Sequence, residues 1–375
     1  MTETTKVVII GAGVAGLTLG NLLLRHGIGC VILERRSREY VERRQRAGTI
    51  DSRGVRLFRE WGLDEVLAGE PIAEVEGGFW IDGEELPIEF DGDDNSDSVF
   101  CPQQVLVHNL TEVFLRDGGD LRYEVADISV DPENGVVRYR DTTIIGEYLA
   151  GCDGDRGVSR ASIPAGVLTR YSHEYGYAWL SVLAEVPAHS SGMAIHSRGL
   201  AGLIPRGPGN SRIYLQCPLD DTVEEWTDER IWSELEARFG KPLTAGRILE
   251  KQLVPLRSVV YEPMSYGRLY LLGDAAHIVP PMSAKGINLA LNDAEVFAHA
   301  LIHDPSELAN YSETCLRHIW NYQAFAAWIT DVMHNAGDSS YEGEFRKQIA
   351  RAELARQFSS PAASRLFGEL TAGVN

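Results

Sequence analysis

Gly11, Gly13 and Gly16 follow a β-branched run, Lys6–Ile10, and Glu34 closes a second apolar run that begins at Cys30. Each of these residue types has a task around a pyrophosphate. Gly11 permits a tight turn after the strand, Gly13 lets backbone approach an anion, and Gly16 lets the next helix pack on the strand. The helix N-terminus offers unpaired N–H groups and a partial positive charge. Glu34 falls where a carboxylate accepts hydrogen bonds from ribose hydroxyls. Strand, glycine turn, helix, second strand and terminal acid together predict a site for the ADP half of a dinucleotide. Six arginines, Arg35, Arg36, Arg38, Arg43, Arg44 and Arg46, crowd the next twelve residues. A solvated charged face is the default reading of such a run. Its place beside the acid also suits a second phosphate-bearing ligand, held by bidentate guanidinium contacts.

Further along, Asp153-Gly154 and Gly273-Asp274 each end an apolar run, and Lys285-Gly286-Ile287-Asn288 leads into a helix. His299 and His303 stand at i, i+4, a spacing able to hold a metal. They lack the intervening Glu of HExxH and a third ligand, so the expected reading is exposed histidines near a helix end, with no metal site. No Ser-His-Asp or nucleophilic Cys pattern is present, and Cys152 reads as a small packing residue.

The elements that must position these groups follow from the patterning. Ser52–Trp61 and Gln104–Leu115 read as helices, and Ile144–Ala150 as a strand. Glu76–Ile81 and Glu85–Phe90 flank Asp82-Gly83, while Leu121–Val130 and Gly135–Tyr139 flank Asn134-Gly135; both are hairpin signals. Strand patterns dominate residues 172–254, as in Trp179–Val186, Gly199–Ile204 and Arg212–Gln216, with an amphipathic helix at Asp228–Phe239. Leu269–Leu272 reads as a short buried strand, and from Asn288 onward the pattern is mostly helical. The nucleotide signals at 6–34, 153–154 and 273–274 imply a first domain interrupted by a second. Residues 1–73, 99–171 and 255–335 are assigned to a discontinuous, Rossmann-like α/β domain on a parallel sheet. Residues 74–98 and 172–254 are assigned to a sheet-based substrate domain, and 336–375 to a C-terminal helical segment.

At 375 residues the chain exceeds one typical core. Its net charge of -19 argues against nucleic acid and anionic membrane as partners. Five scattered cysteines without CxxC spacing predict a reducing compartment. No apolar run reaches membrane-spanning length, and the first strand begins too early for a signal peptide. A soluble, cytoplasmic protein is expected.

With these motifs in hand, the sequence resembles the flavin-dependent aromatic hydroxylases of the 4-hydroxybenzoate 3-monooxygenase type, the class A FAD monooxygenases. The resemblance runs nearly end to end. It is densest at Val7–Gly16 with Val31–Arg35, at Arg44–Gly48, at Tyr148–Pro164 (YLAGCDGDRGVSRASIP) and at Gly267–Asn288 (GRLYLLGDAAHIVPPMSAKGIN), and Tyr311–His334 is also similar. It implies that Gly11, Gly13, Gly16, Glu34 and Arg35 hold FAD, with Arg46 and Gln103 against it. Asp153-Gly154 would serve FAD and NADPH together. Asp274 would hold the ribitol, and Gly286, Ile287 and Asn288 would face the flavin pyrimidine. Arg35, Arg36, Tyr40, Arg44 and Arg257 fall where the family grips NADPH; a packing ion pair is the alternative for Arg257. Pro281, Lys285 and Asn288 would shape the catalytic side of the flavin. Arg206 would pair with a substrate carboxylate and Tyr214 would help hold it.

The departures carry information as well. Met193 and Thr371 fall where the type enzyme has two proton-relaying tyrosines, Glu74 lies near its relay histidine, and Ile204 replaces a serine at the carboxylate. Without that relay, activating a 4-hydroxyl by deprotonation is compromised, and an amino group would supply electron density instead. The expected activity is therefore NADPH- and O2-dependent ring hydroxylation, through a flavin C4a-hydroperoxide, of an aminobenzoate or amino-hydroxybenzoate beside Met193. N-hydroxylation or decarboxylating hydroxylation of a related arylamine acid stays open. So does a second class, a flavin dehydrogenase or a non-catalytic sensor of an aromatic ligand. The resemblance also implies a possible homodimer.

Overall fold

The computed structural model describes residues 1–43, 48–67, 77–86, 97–186, 191–206, 209–334 and 341–373. The chain begins with β1 (Thr2–Ile10), α1 (Val14–Arg25), β2 (Cys30–Leu33), α2 (Arg38–Arg43), β3 (Thr49–Ile50) and α3 (Ser52–Glu60). It continues with β4 (Gly77–Ile81), β5 (Glu84–Leu86), β6 (Val99–Phe100), α4 (Gln103–Arg116), β7 (Asp120–Arg122), β8 (Ser129–Asp131), β9 (Val136–Tyr139), β10 (Thr142–Gly151) and α5 (Val158–Ala161). The middle supplies β11 (Thr169–Glu185), β12 (Ser191–Ile195), β13 (Ala201–Pro205), β14 (Ser211–Pro218), α6 (Asp228–Phe239) and β15 (Arg247–Glu262). The last part is β16 (Ser265–Tyr266), β17 (Leu269–Leu271), β18 (His277–Ile278), α7 (Gly286–His303), α8 (Tyr311–His334), α9 (Tyr341–Ser359) and α10 (Pro361–Ala372).

The first sheet runs β16-β17-β10-β1-β2-β7, with β8 and β9 continuing from β10. Its core strands β17, β10, β1, β2 and β7 are parallel, and Val7–Ile10 are buried, as a strand covered on both faces requires. Register explains why three distant motifs meet. Ile10 is opposed by Leu33 on one side and Gly151 on the other, and Gly151 by Leu271. The residues after them, Gly11, Glu34, Cys152 and Leu272, therefore line the carboxyl ends of four adjacent strands, where open α/β sheets bind ligands.

The second sheet runs β18-β15-β11-β14-β13-β12-β4-β5 and is antiparallel except for β12 beside β4, so it is mixed. β3 and β6 form a separate two-stranded pair. The Asp82-Gly83 turn has φ of 51° and 82°, the twist a two-residue hairpin needs. Glu76 and residues 87–90 of that expected hairpin lie outside the described residues.

One strand expectation is revised, and one strand was missed. Leu121–Val130 splits into β7 and β8, because Glu124 and Asp127 turn the chain with φ of 57° and 55°. The long β15 gave no sequence signal: its charged residues and partial burial hide any alternation, and its order comes from pairing with β11 over nearly its full length. Among the described residues no helix is long and apolar enough to cross a membrane.

Candidate functional site

The glycine turn is built as its residue types demand. Gly11 has φ +108°, and a Cβ there would lie 2.4 Å from the Cys152 carbonyl oxygen. A Cβ on Gly16 would stand 2.0 Å from the Gly11 oxygen, whereas one on Gly13 would meet nothing within 4 Å. Gly16 thus closes the turn, and Gly13 faces open space of the kind a phosphate fills. The Glu34 carboxylate accepts from the Ala12 N–H at 2.9 Å and the Arg36 N–H at 2.8 Å. It braces the turn and keeps further lone pairs for a ribose.

Asp153 accepts from the backbone and hydroxyl of Ser159 through Oδ2, while its buried Oδ1 has no hydrogen-bond partner among the described residues. Burial raises this carboxyl above its ordinary range, partly offset by the Ser159 bonds. A buried acceptor left unpaired is costly and fits a ligand that brings a donor. The residues present therefore fit the diphosphate and ribose of FAD. Asp274 follows Gly273, which bonds to Asp293 at 2.8 Å; His277 lies against the same Asp293 oxygen at 2.7 Å. Asp274 and Gln103, the first residue of α4, are both half-buried.

Pro281–Ser283 forms one 3-10 turn, Ala284 takes φ 53°, and α7 starts at Gly286. A Cβ on Gly286 would meet only Val279, at 3.9 Å, so the start of α7 is uncrowded there, and the first N–H groups of a helix lack intrahelical partners. The side chains of Lys285 and Asn288 are bound to their neighbours. Lys285 Nζ donates to Asp51 Oδ2 and to the Thr371 carbonyl, both at 2.7 Å. Asn288 accepts from the Asp51 N–H at 3.1 Å and donates to the carbonyls of Thr49 and Ala284. These two side chains bind the start of α7 to β3, α3 and the end of α10.

Arg206 leaves the end of β13, its guanidinium 4.4 Å from the Phe100 ring on β6. Burial pulls it below its ordinary range; the Tyr214 phenol acts the other way, and Arg212 adds to the lowering. Guanidinium stays charged regardless, and its buried Nη1 has no partner among the described residues. Such a half-buried cation with an unsatisfied N–H group suits an anion. Tyr214, Met193 and Met282 pack on one apolar cluster with Trp179. Met282 brings the Pro281 turn to the same wall.

The arginine run divides. Arg38 pairs with Glu42 at 2.6 Å and with Glu112, and Arg43 with Glu39 at 2.8 Å. Arg35 and Arg36 are exposed beside Glu34, with Arg36 over the ring of Tyr40 at 5.0 Å. Arg44 and Arg46 lie outside the described residues, as does Glu74. Arg257 pairs with Asp155, both side chains partly exposed. His299 and His303 are exposed. Among the described residues the one group spaced for a metal is Glu42, His108 and Glu112, and Arg38 already occupies both acids.

Sequence reasoning missed Trp179 and His334. The Trp179 indole donates to His334 Nε2 at 2.6 Å, and His334 Nδ1 lies 2.8 Å from the Thr330 carbonyl. A carbonyl only accepts and an indole only donates, so the ring is neutral with its proton on Nδ1. Burial depresses its pKa to about 4, and His318 is likewise depressed to about 4 by burial and Arg53. Unfolding exposes both to protons, so stability is expected to fall as pH drops from 6.5 toward 4. His334→Gln, which keeps an acceptor for Trp179, should flatten that fall. Thermal melts from pH 7 to 4 check it; an unchanged slope would refute the assignment.

A family model described as an FAD binding domain matches residues 4–326. A p-hydroxybenzoate hydroxylase from Acinetobacter baylyi is 36% identical over 100% of this chain and 96% of its own length. The fold is similar to that of a p-nitrophenol 4-monooxygenase from Pseudomonas putida, with TM-score 0.81 and 18% identity over 100% of both chains. It is similar also to an anhydrotetracycline hydroxylase from Streptomyces rimosus, with TM-score 0.77 and 22% identity over 100% of this chain and 76% of that one. The dinucleotide cradle, the second, mixed sheet and these relatives lead to one conclusion: the chain belongs to the FAD-binding family of flavoprotein aromatic monooxygenases.

Proposed function

We propose that this monooxygenase consumes NADPH to hydroxylate the ring of an aromatic carboxylic acid, an aminobenzoate or amino-hydroxybenzoate. The unpaired Nη1 of half-buried Arg206 carries the acid: a carboxylate there completes the guanidinium's hydrogen bonds, with Tyr214 alongside. FAD, when bound, supplies hydride acceptance and O2 activation. The chain supplies binding, orientation and electrostatics. Gly286 and Ile287 N–H groups at the α7 start would stabilise negative charge on the pyrimidine ring. Exposed Arg35 and Arg36, with Tyr40, suit the phosphates of NADPH.

The amino group follows from what surrounds the ring. Met193 can accept no phenolic proton, and Thr371 spends its hydroxyl on the Phe367 carbonyl. Tyr175 and Tyr177 share the apolar cluster, but burial, with Asp331 adding to it, holds their phenols above the ordinary range and therefore protonated. An arylamine is electron-rich without losing a proton. The 36% identity to a p-hydroxybenzoate hydroxylase favours a second reading, 4-hydroxybenzoate itself. NADPH oxidation against a panel of amino- and hydroxybenzoates, with mass spectrometry of products, separates the two. The expected result is an amino-substituted acid that speeds oxidation and gains about 16 mass units, one oxygen. If 4-hydroxybenzoate proves the best oxygenated substrate, the amino reading falls.

A further inference from the structure

Directly opposed residues of neighbouring strands share a face of the sheet. Tyr214 on β14 is opposed by Ser181 on β11 and by Gly202 on β13. Gly202 is opposed by Met193 on β12, and Met193 by Phe79 on β4. This row crosses the face that carries Tyr214, and it has one residue without a side chain, Gly202, between Tyr214 and Met193. The glycine is not there for its backbone: it sits in a regular strand with no positive φ. Inside a strand a glycine weakens the sheet and marks a place where something approaches closely.

What approaches is partly visible. A Cβ on Gly202 would stand 2.8 Å from Met193 Sδ and 3.4 Å from Tyr214 Cδ2. The thioether leans into the space a side chain would fill. Methionine is unbranched and repacks readily, so it is a movable wall rather than a fixed one.

We propose that Gly202 is a specificity-determining residue: it forms a notch, gated by Met193, that admits a ring substituent of the arenecarboxylate anchored at Arg206. The proposal rests on the carboxylate reading given above. The ring edge lies over Gly202, between Tyr214 and Met193, and a substituent displaces the thioether instead of meeting backbone. Alanine at this position would push Met193 off the sheet and into that volume.

The test uses the FAD-loaded enzyme and Gly202→Ala, Met193→Ala and the double variant. Benzoate, 3-methylbenzoate and 3-methoxybenzoate serve as probes, their binding read from the flavin absorbance change. Gly202→Ala is expected to weaken the substituted acids about tenfold or more relative to benzoate, the size of a methyl-scale clash. The double variant is expected to restore them to within about threefold, because removing the thioether reopens the space. FAD content and melting temperature report whether the variants fold. Equal weakening of all three acids, or none, overturns the notch while leaving the carboxylate anchor intact. If the unaltered enzyme binds none of them, the anchor itself fails and the notch falls with it.

Discussion

Arg206→Met is expected to lower kcat/KM for the aromatic acid by about 100- to 1,000-fold while leaving the melting temperature unchanged or raised. The two halves of this expectation come from one observation. Burial already pulls the guanidinium below its ordinary range, and Nη1 is unpartnered. In the ligand-free protein this is a half-buried charge with one unsatisfied buried N–H group, which destabilises the fold. Methionine of similar volume removes that cost, so the fold does not suffer. Substrate binding suffers because a buried carboxylate then lacks its counter-charge, a loss of about 2–5 kcal/mol for a truncated buried pair. Arg206→Lys restores the charge but not the planar fork, and is expected to recover only part of the loss. Steady-state kinetics with thermal melts checks both halves. Unchanged kcat/KM would remove Arg206 from the substrate site; a large drop in melting temperature would make it a structural residue instead.

The nucleotide half of the molecule was legible because local rules suffice there. Gly11 needs its positive φ, Gly16 needs its close approach, and Glu34 follows its strand at a fixed remove. Asp153 and Asp274 became legible as partners only through the family resemblance, since strand register, not sequence distance, brings them beside Gly11. Most missed features are non-local. The long β15 owes its order to β11, and its own charged residues, such as Glu250 and Lys251, conceal it. Trp179 and His334 are 155 residues apart and join only when the end of α8 reaches the second sheet. Asp51 carried a readable signal, an N-cap acid three residues before Gly54, whose N–H it accepts at 3.0 Å. Its second role, receiving Lys285, could not be read, because it depends on where α7 lands. Lys285 and Asn288 were expected to shape the flavin side; their side chains hold the Asp51 carboxylate and neighbouring carbonyls at the start of α7.

That bond between Lys285 and Asp51 gives the other large effect. Lys285 is 2% exposed and Asp51 3%. Burial pushes the ammonium below its ordinary 10.5, against the pull of Asp51. A lysine depressed in the folded state binds fewer protons there than when unfolded. Its contribution to stability therefore rises with pH between the folded value and 10.5, and is least below that window. The pair is buried and close, so removing one partner strands the other. Lys285→Met is expected to destabilise the protein by about 3–5 kcal/mol, as is usual for a broken buried pair. It also frees the Thr371 carbonyl and lets the end of α10 lift from Asp51, which a Cβ on the C-cap Gly373 would meet at 2.5 Å. Since Lys285 precedes the N–H groups proposed above to face the flavin, NADPH oxidation without product is expected to rise in parallel. Asp51→Leu in the same chain removes the stranded charge. The double variant is then expected to recover at least half of the lost stability without recovering coupling, because apolar contact replaces charge but does not fix the helix start. Denaturant melts and the ratio of product formed to NADPH oxidised decide it: additive losses would show that the two residues act independently, and restored coupling would show that only the stranded carboxylate, not the lysine's hold on α7, mattered.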